Sequence, residues 1–305
     1  MKYIHSKYML ALYLCLLAGA VSAVSNPSAA APAHEPRNET EAMLQAKFGG
    51  GVSASAYEKW TAYVESKDAE EQAWLRTLES QLGNFYFPHY LNELFSPHYD
   101  RSADAWAHVK DDPDLPRVLI IGDSISRAYT ATVRNMLEGR ANVHRAPANC
   151  GPTSKFLQVP NPEVWLNQNG SDRWDIVIIN FGIHDGNNPA GYEERLRKVL
   201  ACVKKTGASA IYWVRTTPWG KNAAVFEDVA TGDASVLTNP ISDRVVLEEG
   251  LVVIDAHSLM LPLISTDLNK KDFTHWSPSA CEGLGKAIAG AIEPSVANFR
   301  KTGVK

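Results

Sequence analysis

Short apolar runs alternate with amphipathic stretches along the later part of the chain, from Arg117 onward. The runs predict strands at Arg117–Ile121, Asn142–Ala146, Asp175–Asn180, Ala208–Val214 and Leu251–Asp255. Helices are expected between them. The clearest is Tyr192–Lys205, where Leu196, Val199, Leu200 and Val203 share one face. A last helix is predicted behind Ser277 as N-cap, with Pro278 in its first turn. Its stripe is Leu284, Ala287, Ile288, Ala291 and Ile292. Strand-helix alternation implies an α/β fold, with a parallel sheet covered on both faces.

The earlier part has a different pattern. From Glu41 to about Phe95 the apolar period is helical: Trp60, Tyr63 and Val64 share a face, as do Leu75, Leu78 and Leu82. Gly49-Gly50-Gly51 separates the first helix from the second. Phe85-Tyr86-Phe87-Pro88 is an aromatic cluster suited to a pocket or to a core. The acidic, proline-containing stretch Asp111–Pro116 reads as a boundary. The expected organisation is a signal peptide over 1–23, a disordered Ala/Pro/Ser-rich linker over 24–40, a helical N-terminal extension over 41–112, and an α/β domain over 113–305.

The signal reading rests on Lys2 and Lys7 ahead of the apolar Met9–Ala20, with Val21-Ser22-Ala23 as a small-residue cleavage site. It predicts a secreted or periplasmic protein. The apolar run is short for a bilayer, so no stable membrane insertion is expected after cleavage. Cys15 lies within the run and lacks a lipoprotein-type box before it. Cys150, Cys202 and Cys281 leave two options open, one disulfide with a spare thiol or three free thiols. Asn38 and Asn169 fit the N-glycosylation pattern. A formal charge of −4 and a pI near 6.1 give no basic footprint, so no nucleic-acid partner is expected.

The chemistry gathers around Gly122-Asp123-Ser124-Ile125-Ser126. The strand before and the helix after place Ser124 at the carboxyl edge of a sheet, where such folds keep their sites. The helix N-terminus offers free N–H groups to a developing oxyanion. Asp272 and His275, far downstream on one loop, supply a base: a carboxylate that holds one imidazole nitrogen leaves the other to take a serine proton. Asp255-Ala256-His257 is a rival pair. Ser126 stands where a Gly-x-Ser-x-Gly elbow would have its second glycine, which argues against an ordinary α/β-hydrolase. No His-x₃-His, Cys-x₂-Cys or phosphate-binding glycine loop occurs, so neither metal nor cofactor is expected.

Gly122-Asp123-Ser124 and Asp272-x-x-His275 resemble the first and last blocks of the GDSL-type (SGNH) hydrolases. The resemblance covers roughly Arg117 to Ala291. It implies a three-layer α/β/α, flavodoxin-like parallel sheet and ester hydrolysis by a Ser-His-Asp triad. It also implies an oxyanion hole. The Ser124 N–H and the Gly151 N–H, the latter in Asn149-Cys150-Gly151, match the family's first two donors. The third is an asparagine in Gly-x-Asn-Asp, where this chain has Gly182-Ile183-His184-Asp185. His184 would replace it through a ring N–H, its tautomer fixed by Asp185 or a backbone carbonyl.

Around that site, Arg215 is read either as a ligand for a substrate anion or as the partner of an internal acid. Trp219 and Trp276 are read as stacking surfaces for a sugar ring or as packing. Gly220–Asn239 reads as a mobile lid. The expected function is a serine esterase removing small acyl groups, such as acetyl, from a small-molecule or glycan ester. The alternatives are a lipid or aryl esterase, an acyltransferase with the same triad, and a catalytically silent carbohydrate-binding protein.

Overall fold

A computed structural model describes residues 38–299. The expected signal peptide, Cys15 and most of the linker lie outside the described residues. Four helices come first: α1 (Glu39–Phe48), α2 (Ala54–Glu65), α3 (Ala69–Gln81) and α4 (Gly83–Leu94). Asn38, Ser53 and Asp68 cap the first three by accepting the N–H of Glu41, Ala56 and Glu71. The Asn38 cap starts α1 inside the stretch expected to be linker. Leu44, Phe48, Trp60, Leu78 and Phe87 form a core of their own, with the Phe48 and Phe87 rings stacked at 4.6 Å. Phe87 is thus core, while Phe85 stays exposed.

The α/β part follows as β1 (Arg117–Ile121), α5 (Ser124–Met136), β2 (Asn142–Arg145), α6 (Thr153–Phe156), α7 (Asn161–Leu166), β3 (Ile176–Ile179), α8 (Tyr192–Lys204), β4 (Ala210–Val214), α9 (Ala224–Glu227), α10 (Val229–Gly232), α11 (Asn239–Glu248), β5 (Val252–Ile254), α12 (Ala256–Met260), α13 (Ile264–Asp267) and α14 (Pro278–Ala297). Its five strands are all parallel in the order β2-β1-β3-β4-β5. This is the flavodoxin-like order, and the chain changes direction between β1 and β3. Side chains alternate along each strand. Val118 and Ile120 enter the core shared with α5 and α14, while Leu119 and Ile121 enter the one shared with α8 and α11. The result is three layers, with Ser124 at the switch point of the middle one.

The helical extension is tied to the β2 side. The Trp74 indole N–H donates to the Trp106 carbonyl, and the Trp106 indole N–H donates to Ala146 O just past β2. Trp165 on α7 donates to the Gln81 side chain. Arg134 on α5 spans Val143, Asp104 and Ala105 by their carbonyls. Cys150, Cys202 and Cys281 are all free thiols, which selects the second of the two cysteine options. No helix among the described residues is long and apolar enough to cross a membrane.

Candidate active site

Asp123 caps α5 by accepting the Ile125 N–H at 3.0 Å, which fixes Ser124 as the first residue of that helix. Ser124 is 7% exposed. Its hydroxyl donates to His275 Nε2 at 2.8 Å, and His275 Nδ1 donates to Asp272 Oδ2 at 3.1 Å. The Asp272 partner keeps the ring proton on Nδ1 and leaves the Nε2 lone pair facing serine. Burial draws the Asp272 carboxyl upward, but the His275 and Thr274 N–H groups and the imidazole outweigh it and hold the group below its usual range. Asp272 is therefore a carboxylate at neutral pH.

The loop that carries the pair is closed on itself. Asn269 N–H donates to His275 O at 2.8 Å and Phe273 N–H to Asn269 O at 2.8 Å, while the Asn269 amide donates to Asp272 Oδ2. Phe273 has φ of 56°, a left-handed conformation that costs a non-glycine residue about 1 kcal/mol or more. Its neighbours impose it, since the Phe273 carbonyl also accepts the Gly220 N–H at 2.7 Å.

The three expected oxyanion donors stand at the carboxyl ends of adjacent strands β1, β2 and β3. Neither the Ser124 N–H nor the Gly151 N–H has an acceptor among the described residues. Gly151 takes φ of 63°, open to glycine. The preceding Cys150 N–H donates to Gly122 O at 3.1 Å and stitches this loop to the serine turn. His184 is exposed and close to the buried Asp123. Burial pushes the Asp123 carboxyl up, and His184 opposes it. Of the two groups expected to fix the His184 tautomer, Asp185 or a backbone carbonyl, Asp185 is committed elsewhere. Its oxygens accept the Thr153 N–H at 2.9 Å and hydroxyl at 2.5 Å, and Arg195 pairs with it at 3.1 Å. Asp185 thus clasps the Gly151 loop to the His184 loop.

Where the substrate-facing expectations left two readings, the structure takes the pairing and packing ones, against the substrate-binding assignment. Arg215 is paired within the chain, to Asp243 at 3.0 Å and Asp255 at 3.3 Å, so it is no free cation for a substrate anion. Trp219 and Trp276 are 4% and 7% exposed and belong to the core, leaving little ring surface for a sugar. His257 of the rival pair bonds Asp233 at 2.7 Å. Gly220–Asn239, the stretch read as a mobile lid, folds into α9, α10 and a 3-10 turn. Asp233 pins it by accepting the Trp219 and Ser235 N–H groups. The Asn169 amide nitrogen is occupied by Val109 O and Asp111.

Sequence reasoning missed Asn269, Arg195 and, above all, Arg145. Arg145 is 1% exposed and donates to Ser126 Oγ at 2.6 Å, Gly122 O at 3.2 Å and Asp123 O at 3.0 Å. The available signal was only a cation at the end of a predicted strand. Also missed was a cleft of about 430 Å³ between α4 and α5. Tyr90, Glu93, Tyr99, Asp104, Trp106 and Arg127 are among its lining residues.

No protein-family profile matches the chain, and no curated protein matches it by sequence. Solved structures are similar to it. A protein of Slackia heliotrinireducens held to be an SGNH hydrolase aligns over 59% of this chain and 100% of its own, with 17% identity and a TM-score of 0.49. The lipase/acylhydrolase of Enterococcus faecalis aligns over 59% and 96%, with 18% identity and a TM-score of 0.47. A catalytic mutant of the acetylxylan esterase Axe2 of Geobacillus stearothermophilus aligns over 62% and 97%, with 15% identity and a TM-score of 0.43. The fold described above stands on its strand order and connections.

Proposed function

We propose that this chain is a serine ester hydrolase of the SGNH kind. The observation that carries the reading is the 2.8 Å hydrogen bond from the Ser124 hydroxyl to His275 Nε2, with Asp272 behind the ring. A hydroxyl so placed loses its proton to the imidazole as its oxygen attacks an ester carbonyl. The carbonyl oxygen becomes an oxyanion facing the free N–H groups of Ser124 and Gly151, with His184 as third donor. Collapse expels the alcohol, which takes the proton from His275. Water then attacks the acyl-serine with the same base. Removing one oriented oxyanion donor raises the barrier by about 2.7–4 kcal/mol.

For the substrate we propose a small acyl group, such as acetyl, on a carbohydrate. The support is the resemblance carried by Gly122-Asp123-Ser124 and Asp272-x-x-His275. The two buried tryptophans no longer add to it. We further propose export out of the cytoplasm, on the pattern of residues 2–23. N-terminal sequencing of the mature protein tests that part.

The activity is tested with p-nitrophenyl acetate, butyrate and octanoate on wild type and Ser124→Ala. Wild type should turn over acetate fastest, and Ser124→Ala should lose about 10³-fold or more in kcat. Rising rates with chain length would redirect the reading to lipid esters. An inert wild type on these esters and on acetylated glycans would leave a binding protein.

A further inference from the structure

We infer that Arg145 is a positioning residue that orients and polarises the Asp123–Ser124 peptide, so that the Ser124 N–H is aimed at the oxyanion. The inference rests on the serine-esterase reading and concerns how that site is held. A trans peptide sets its C=O and N–H on opposite sides of one plane. The carbonyl of the Asp123–Ser124 peptide is Asp123 O, and its N–H is the Ser124 donor. Whatever pulls on Asp123 O turns the Ser124 N–H the other way.

Three donors converge on that carbonyl. They are the Arg127 N–H at 3.1 Å, the Ser126 hydroxyl at 2.7 Å and Arg145 Nη2 at 3.0 Å. A carbonyl oxygen has two lone pairs, so it is fully engaged. Only the Arg127 bond belongs to ordinary helix geometry. Arg145 Nη1 also donates to Ser126 Oγ at 2.6 Å, which commits the Ser126 proton to Asp123 O. The other carbonyl of the turn, Gly122 O, accepts Arg145 Nη2 and the Cys150 N–H. One guanidinium therefore sits behind the serine turn and reaches the Gly151 loop through a shared acceptor.

The placement is expensive. A guanidinium stays charged, and burying it without close carboxylate pairing is strongly unfavourable. No carboxylate hydrogen-bonds Arg145 among the described residues; the buried Asp123 carboxyl acts on its charge only through space. The Trp106 ring lies 5.7 Å from its guanidinium carbon. An apolar residue would fill the same volume at lower cost. What it would not supply is a positive charge and several fixed donors on the carbonyl side of the oxyanion peptide, where charge-assisted bonds are strongest.

The test uses the full chain with Arg145→Met, Arg145→Lys and Ser126→Ala, read in two ways. The first is the amide proton and nitrogen shift of Ser124 in isotope-labelled protein, which needs no activity. The second is p-nitrophenyl acetate kinetics. Arg145→Met should move the Ser124 amide proton upfield and lower kcat by about 10- to 100-fold, with KM within about threefold. Arg145→Lys keeps the charge but cannot reach both carbonyls and Ser126 at once. It should recover part of both changes. Ser126→Ala should shift the amide in the same sense by less, and it carries the test if Arg145→Met does not fold. A folded Arg145 variant with an unmoved Ser124 amide, or with wild-type kcat, overturns the inference. If wild type hydrolyses no ester while the amide still moves, the esterase reading fails and the positioning role stands.

Discussion

A methyl group on Gly182 would come within 2.1 Å of Thr216 Oγ1 and 3.1 Å of its Cβ. Thr216 is fully buried and has no room to swing aside. Gly182→Ala should therefore displace the loop that carries His184 and Asp185, at a cost of about 1–3 kcal/mol. Denaturant unfolding measures the cost, and kcat on a p-nitrophenyl ester reads the displaced donor. At this scale the hydrogen-bonded chain Ser124–His275–Asp272 was legible because its signals are local, a serine on a strand-helix turn and a carboxylate three residues before its histidine. Arg145 was not, because its bonds to the Gly122–Ser126 turn exist only once β2 lies beside β1. Arg215 stayed undecided between a substrate anion and an internal acid for the same reason in reverse. Its carboxylate partners, Asp243 and Asp255, arrive later in the chain and from different elements.

The five strands were legible to within a residue or two at each end, and Gly49 and Ser277 marked a helix end and a helix start. The segment between β4 and α11 was not. It is rich in small and polar residues, and its order comes from one buried carboxylate. Asp233 accepts the His257 ring nitrogen and the Ser235 N–H and hydroxyl, along with the Trp219 N–H. Burial raises this carboxyl, but those donors outweigh it and hold it below the usual carboxylate range. A carboxyl whose folded value is depressed stabilises the fold above its unfolded value and loses that contribution as pH falls through the folded one. Asp233→Asn should therefore cost about 1–3 kcal/mol at neutral pH. The gap from wild type should narrow as pH drops below about 4. Thermal melts of both proteins from pH 7 to pH 2.5 follow it.

Taken as one molecule, the described residues form three apolar cores, two on the faces of the sheet and one inside the helical extension. Trp106 joins the third to the rest. It packs in the helical core against Tyr86 and Tyr90, bonds Ala146 beyond β2, and lies 5.6–5.7 Å from the guanidinium carbons of Arg127 and Arg145. We expect the extension and the α/β part to unfold together. Trp106→Ala should cost about 3–5 kcal/mol and split one transition into two. Far-ultraviolet circular dichroism and tryptophan fluorescence would then no longer coincide. Composition alone did not reveal this joint, because Trp106 sits in an irregular stretch with no period to read.

The depths of the two proposed reacting groups differ. Ser124 is 7% exposed, whereas the side chains of His275 and Asp272 are 48% and 42% exposed. A ring standing in water trades protons with the bulk directly and needs no relay of internal carriers. It is also a ring around which no wall closes. An ester carried on a large, rigid or even insoluble body has only to bring one bond down to the serine, and the rest of that body can stay outside.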